Sequence, residues 1–254
     1  MSTSLFIAMY RSLCRQTAAL EKRGAVLKSR MPMEGGREKW GTCRWIPSGA
    51  EGEATVVQQL FPFLSHFPDM PLRSNNELRE CIKKNFRNGN PSNESTSQAL
   101  GAFKILREQF QLELCSSHSV TQGVSVDVTP KFLGAFNEYG GSPQNIFSYR
   151  IRVEYRPAPG STEKVRLVSR SWMLKESSGD TKTIVPKGSY GVVGQTPTFD
   201  PENAQIFEYT SGCVTKSKSA EMWGSFGMEK LDSKGLSVGA FEAKVGPFLL
   251  MGTG

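Results

Sequence analysis

The hydrophobic residues of this 254-residue chain change their period partway along, and that change limits the fold more than any other feature. Up to about residue 118 apolar side chains recur at helical spacing; beyond it they alternate with polar ones. From Leu5 the apolar set continues at Met9, Leu13 and Leu20, with Arg11, Arg15, Lys22 and Arg23 interleaved, until Pro32 and Gly35-Gly36 interrupt it. Leu78, Ile82 and Phe86 form an i, i+4, i+8 stripe, preceded by Ser74 and Glu77 at capping-box spacing and followed by "NGNP" at 88–91. Arg79, Lys83 and Arg87 run beside that stripe, about 100° round the helix. Ser95 and Gln98 repeat the capping spacing before a third helix carrying Leu100, Phe103, Leu106, Phe110 and Leu114. Between the first two helices lies an irregular stretch, roughly 31–72, rich in Gly and Pro and holding the apolar piece "VVQQLFPFLSHF". Three helices with basic flanks predict a small bundle over residues 1–118.

After residue 118, "VSVDV", "FSYRIRVEY", "VRLVSRSWML" and "QIFEY" alternate and are rich in Val, Ile, Tyr and Phe. Turn signals such as "NEYGGSPQN", "RPAPGS", "ESSGD" and "LDSKG" separate them. With no helical segment between strands, a parallel α/β sheet is disfavoured and an antiparallel sandwich follows. The fold class is therefore α+β multidomain: a helical bundle, then an all-β sandwich.

Charge is distributed unevenly. Residues 1–110 carry 16 Lys/Arg against 10 Asp/Glu, and residues 111–254 carry 15 against 14, so nearly all of the net +7 belongs to the helical part. Such a face favours an acidic partner or is simply solvated. Cysteines 14, 43, 81, 115 and 213 are odd in number and contain no C-x-x-C pair, which reads as reduced thiols, not a disulfide framework or zinc site. Two histidines, His66 and His118, exclude a His-rich metal site, and no apolar run reaches the roughly 18–20 residues of a membrane span. The stretch "SLFIAMYRSLCRQ" at 4–16 has no acidic residue before Glu21, a pattern shared by mitochondrial presequences and by the first helix of a basic docking module.

The second half resembles the ApaG domain. The family's "FxYxIxVE" is met by Phe147, Tyr149, Ile151, Val153 and Glu154, and its "VxLxSRxW" by Val165, Leu167, Ser169, Arg170 and Trp172. "GVVGxxP" is met by Gly191, Val192, Val193, Gly194 and Pro197; "FEYTSGC" stands at 207–213, "GSFGM" at 224–228 and "PFLL" at 247–250. The resemblance covers about 122–252 and implies a fibronectin-III/immunoglobulin-like sandwich without a securely attached reaction. Its glycine loop, around Gly191 and Gly194, suggests a phosphate-binding fingerprint, but such a fingerprint must open a helix. Here Pro197 and another strand-like run follow, so a tight turn or bulge is the favoured reading.

The first half resembles the LYR-motif (complex I LYR-like) proteins. The signature tripeptide is met by Met9, Tyr10 and Arg11, with Met in place of Leu, and the family's downstream Phe by Phe86 in "KKNFRNGN". The stretch 31–72 departs from the compact family pattern. The resemblance implies a retained first helix, a mitochondrial (matrix-side) location and binding of the mitochondrial acyl carrier protein. On it, Arg11, Arg15, Lys83, Lys84 and Arg87 would face the carrier's acidic helix, and an apolar interior would shelter its acyl chain.

Together these readings lead us to expect a non-enzymatic mitochondrial adaptor, docking the carrier through its bundle and a further protein through its sandwich. The larger complex would be respiratory, iron–sulfur or mitoribosomal, with nucleic acid met only through a ribosome. No cofactor is expected to bind directly; an acyl-phosphopantetheine arm would come with the carrier. The alternative is a small-ligand (phosphate or nucleotide) binding protein or an enzyme acting through the sandwich loops. For that, Cys213 has no evident histidine partner in the sandwich motifs.

Overall fold

A computed structural model describes residues 3–22, 28–30, 43–45, 75–88, 93–137, 143–201 and 206–252. The chain divides into two compact units, Met1–Leu114 and Cys115–Gly254.

Among the described residues the first unit shows three helices: α1 (Thr3–Lys22), α2 (Asn75–Asn88) and α3 (Asn93–Cys115). Helix α1 buries Phe6, Leu13 and Leu20, spaced by two turns. Thr17 also falls on this face, and its hydroxyl donates to the Leu13 carbonyl at 2.9 Å, so a buried polar atom is satisfied. The buried stripe is thus rotated from the expected one: Met9 is half-buried and Leu5 is 50% exposed, because Phe6 supplies the ring that meets α2. In α2, Ile82 is fully buried. In α3 the buried positions are Thr96, Ala99, Ala102 and Leu106, while Leu100 faces solvent.

Within the stretch expected to be irregular, β2 (Cys43–Trp45) pairs antiparallel with β1 (Lys28–Arg30), Ser29 opposite Arg44. The segment "VVQQLFPFLSHF" and the side chains of both capping boxes lie outside the described residues. Among the described residues no helix is long and apolar enough to cross a membrane.

The second unit is a sandwich of two antiparallel sheets. One sheet has the order β3 (Ser117–Thr121), β4 (Val124–Asn137), β5 (Pro143–Tyr155), β9 (Ile206–Thr215). The other runs β11 (Ser237–Met251), β10 (Ser219–Leu231), β6 (Lys164–Glu176), β7 (Thr181–Tyr190), with the two-residue β8 (Thr198–Phe199) also on β6. The first unit ends at Leu114, helix α3 at Cys115, and β3 opens the sandwich at Ser117. The run "SHSV" of small polar residues conceals β3, which a two-residue turn at Gln122 (φ 47°) and Gly123 (φ 80°) folds back onto β4.

Alternation places Val124, Val126, Val128, Phe147, Ile151 and Val153 inward from the first sheet. Trp172 centres the core, with Phe226 and Phe248 edge-on at 5.9 and 6.1 Å and Tyr149 tilted at 6.0 Å. At the β3 and β11 edges the sheets are stitched by side chains. The Ser119 hydroxyl donates to the Lys244 carbonyl at 2.5 Å, and the Lys244 N–H donates to the Thr121 hydroxyl at 3.1 Å.

Candidate functional site

Each unit holds one group of the residues singled out from the sequence. In the first, Phe86 of α2 meets two rings of α1: Phe6 at 4.6 Å and Tyr10 at 5.3 Å. Tyr10 and Phe86 are thus neighbours, and Phe6 is a third member that the expected stripe through Leu5 passed over. Burial and a hydrogen bond with Cys14 raise the Tyr10 hydroxyl above its ordinary pKa, while the charges of Lys83 and Arg87 act the other way. Lys83 and Arg87 therefore lie close enough to Tyr10 to be felt by it.

The remaining cations differ in their surroundings. Lys83 is bound to Glu80 one turn back at 2.5 Å, so part of its charge is matched within its own helix. That pairing also holds the exposed Glu80 carboxyl below its ordinary range. Arg11 and Arg15 are exposed one turn apart on α1, as are Lys84 and Arg87 on α2. Met9 is half-buried.

In the second unit the glycine loop is built by a β-bulge. Strand β6 buries Val165 and Leu167, then Trp172 and Leu174, so its inward parity switches between the two pairs. The register against β10 passes from Met228↔Leu167 to Gly227↔Ser169, leaving Val168 as the extra residue. On its other side β6 pairs with β7, Ser169 opposite Tyr190, and that register runs on to Gly191. The carbonyl of Val168 accepts the Gly191 N–H at 2.7 Å, and Arg170, now on the same side as Trp172, donates from Nη1 to the Gly191 carbonyl.

The chain then closes a two-residue turn. Val192 and Gln195 exchange both backbone hydrogen bonds, at 2.8 and 2.9 Å, around Val193 and Gly194. Positive φ at both central residues, 51° and 75°, is the type I′ geometry. Gly191 also has positive φ, at 63°, and a Cβ there would lie 3.0 Å from the Gln195 carbonyl oxygen. Among the described residues the turn leads into the two-residue β8 and not into an α-helix, so it presents no row of helix N-terminal N–H groups to a phosphate. Val193 was not anticipated: a β-branched residue in the left-handed region is sterically penalised. Its side chain is 51% exposed, and that of Tyr190 81%.

Cys213 is not poised as a nucleophile. Its side chain packs against the core, and burial pushes the thiol up to about 12, with Glu176 adding in the same direction. His118, at 2.7 Å from Asp127 and exposed, belongs to the opposite face of the same sheet. That outer face carries an ion network: Arg150 grips Glu208, and Glu154 binds Arg152 at 3.1 Å and Arg156 at 2.7 Å. Burial pushes the Glu154 carboxyl up, but its two arginines outweigh that and keep it below its ordinary range. Among the described residues no group of three His, Cys, Asp or Glu could hold a metal ion.

Residues 138–230 match the ApaG domain family, DUF525. Protein ApaG of Anaeromyxobacter dehalogenans (strain 2CP-1) is 35% identical over 135 residues, which are 53% of this chain and 94% of the relative. Protein ApaG of Brucella anthropi is 34% identical over 114 residues, 44% of this chain and 78% of the relative. An X-ray structure of a Northeast Structural Genomics Consortium target is 27% identical, with a TM-score of 0.43, covering 53% of this chain and 90% of its own. The names of these relatives state no reaction. With nearly the whole of an ApaG protein aligned at this identity, the chain belongs to the ApaG family.

Proposed function

We propose that the protein is a non-enzymatic mitochondrial adaptor, in which the helical unit docks an acyl carrier protein and the ApaG sandwich binds a second protein of a larger assembly. The observation that carries the reading is the packing of Tyr10 and Phe86 against each other, within reach of Lys83 and Arg87. Tyr10 of the tripeptide and the downstream Phe86 are far apart in sequence yet meet between α1 and α2. Exposed Arg11, Arg15, Lys84 and Arg87 would steer and orient an acidic helix. Lys83, already bound to Glu80, would contribute less. The carrier would bring its own acyl-phosphopantetheine arm. A buried Cys213 thiol and a glycine turn that leads into β8 favour this reading of the sandwich over an enzyme or a nucleotide-binding protein.

Calorimetric titration with acylated mitochondrial acyl carrier protein tests the docking. The double charge reversal Arg11→Glu with Lys84→Glu should weaken binding by roughly 2 kcal/mol or more where the contacts are desolvated. Affinity should also fall as salt rises. Binding that ignores both changes, in a variant with an unaltered melting curve, would remove the docking face.

A further inference from the structure

Two polar side chains inside the sandwich lack the partners that burial calls for, and they stand together. Tyr209 faces inward from β9 and is 5% exposed, yet among the described residues its hydroxyl has no hydrogen-bond partner. A buried hydroxyl in that position loses its bonds to water without replacement. Arg170 lies on the Trp172 side of β6 and is half-buried. Its Nη1 donates to the Gly191 carbonyl, and among the described residues no carboxylate pairs with its charge. The other arginines of the sandwich are matched: Arg150 by Glu208, Arg152 and Arg156 by Glu154, Arg166 by Glu229. Arg170 stands apart from them.

Burial raises the Tyr209 hydroxyl and the Tyr149 hydroxyl beside it, and on both the charge of Arg170 acts the other way. The unpartnered hydroxyl and the unmatched cation are therefore close enough to feel each other. They can also be reached. Phe207 and Cys213 of β9 and Val185 of β7 pack on the core, yet each is only half-buried, so the two sheets part along the margin between β9 and β7. The chemistry of that margin defines what it would take. Arg170 is a donor only and Tyr209 supplies one O–H, so together they call for a negatively charged acceptor. A single cation matches a single negative charge; a phosphate dianion would bring a second, unmatched one into a partly dry crevice. A carboxylate is planar, singly charged and fits the guanidinium fork. Beyond the two donors the walls, Phe207 and Val185, are apolar, so the body that carries the carboxylate should be small and apolar.

We propose that the margin between β9 and β7 is a binding site for a small apolar monocarboxylate, held by the Arg170 guanidinium and the Tyr209 hydroxyl. The site does not depend on docking by the helical unit. Butyrate serves as the probe, on the full chain at constant ionic strength, read by melting temperature and by calorimetric titration. It should raise the melting temperature saturably, whereas butyramide, of the same size without the charge, and inorganic phosphate should not. Tyr209→Phe removes a hydroxyl that bonds to nothing, so without butyrate this variant should be as stable as the unmodified chain or more so. Its affinity for butyrate should nonetheless fall about tenfold. Arg170→Lys keeps the charge but loses the fork, and should weaken butyrate in the same way; if that variant folds poorly, Tyr209→Phe decides alone. Four results would overturn the proposal: no saturable response to butyrate, an equal response to butyramide or phosphate, a Tyr209→Phe chain that binds butyrate unchanged, or one that is destabilised without it. The last would mean that an ordered water already satisfies the hydroxyl.

Discussion

The backbone N–H of Gly191 donates to the carbonyl of Val168 at 2.7 Å, the next pair along the β6–β7 register after Ser169 opposite Tyr190. The bulge of β6 against β10 puts Arg170 on the side of Trp172, where it donates to the Gly191 carbonyl, so the glycine is held from both sides. The glycine turn is therefore fastened to the neighbouring strand β6.

Removing the guanidinium by Arg170→Met should leave the Gly191 carbonyl without its donor and destabilise the protein by about 1–3 kcal/mol. Gly191→Val should cost more than Gly194→Val. Both meet the φ penalty, on the order of 1–3 kcal/mol, but only at Gly191 would a Cβ also press on the Gln195 carbonyl. Urea unfolding of the three variants would rank them; equal costs at both glycines would contradict the contact.

Val193 should be a position where substitution stabilises. V193N creates the Asn-Gly pair preferred in type I′ turns and relieves a β-branched residue from φ 51°. A gain of about 1 kcal/mol is expected, visible as a higher melting temperature. A fall in melting temperature would mean that the half-exposed side chain makes stabilising contacts that outweigh the strain.

Stability should decline at alkaline pH. In the folded state burial pushes both the Cys213 thiol and the Tyr149 hydroxyl up to about 12, from ordinary values of 9.0 and 10.0. Tyr209 is raised for the same reason. Above those ordinary values the unfolded chain releases protons that the native protein still holds, and stability falls as pH rises. It should be fully present below pH 9 and lost progressively between about 9 and 12. Denaturation curves across this range, repeated with Cys213→Ala, should show the lower part of the loss shrink.

The sandwich was legible because two-residue alternation survives wherever one face is buried and the other is wet, as from Phe147 to Tyr155. It failed at β6, where Val165 and Leu167 point inward on odd positions and Trp172 on an even one; an inserted residue is invisible to a periodic template. Arg170 was recognised as part of a motif, but its partner was not, since the contact is made across strands to a backbone carbonyl. In the helices, residue size misled. Leu5 and Leu100 look like core residues and are exposed, whereas the smaller Ala99 and Ala102 are buried. Tyr10 and Phe86 could be named from their motifs; that Phe6 completes the cluster depended on the rotation of α1, which no local pattern fixes.

The stitching of β3 to β11 gives the sandwich a bound spine, and the opposite ends of the two sheets, β9 and β7, form its fore-edge. Thermal breathing that separates the sheets should begin at the fore-edge, so amide hydrogens there should exchange before those along the spine. The turn gripped by Val168 and Arg170 follows directly on β7 and so acts as a clasp on that opening side. Transient access of solvent to Tyr209 and Cys213 would then be governed by how long that clasp stays shut.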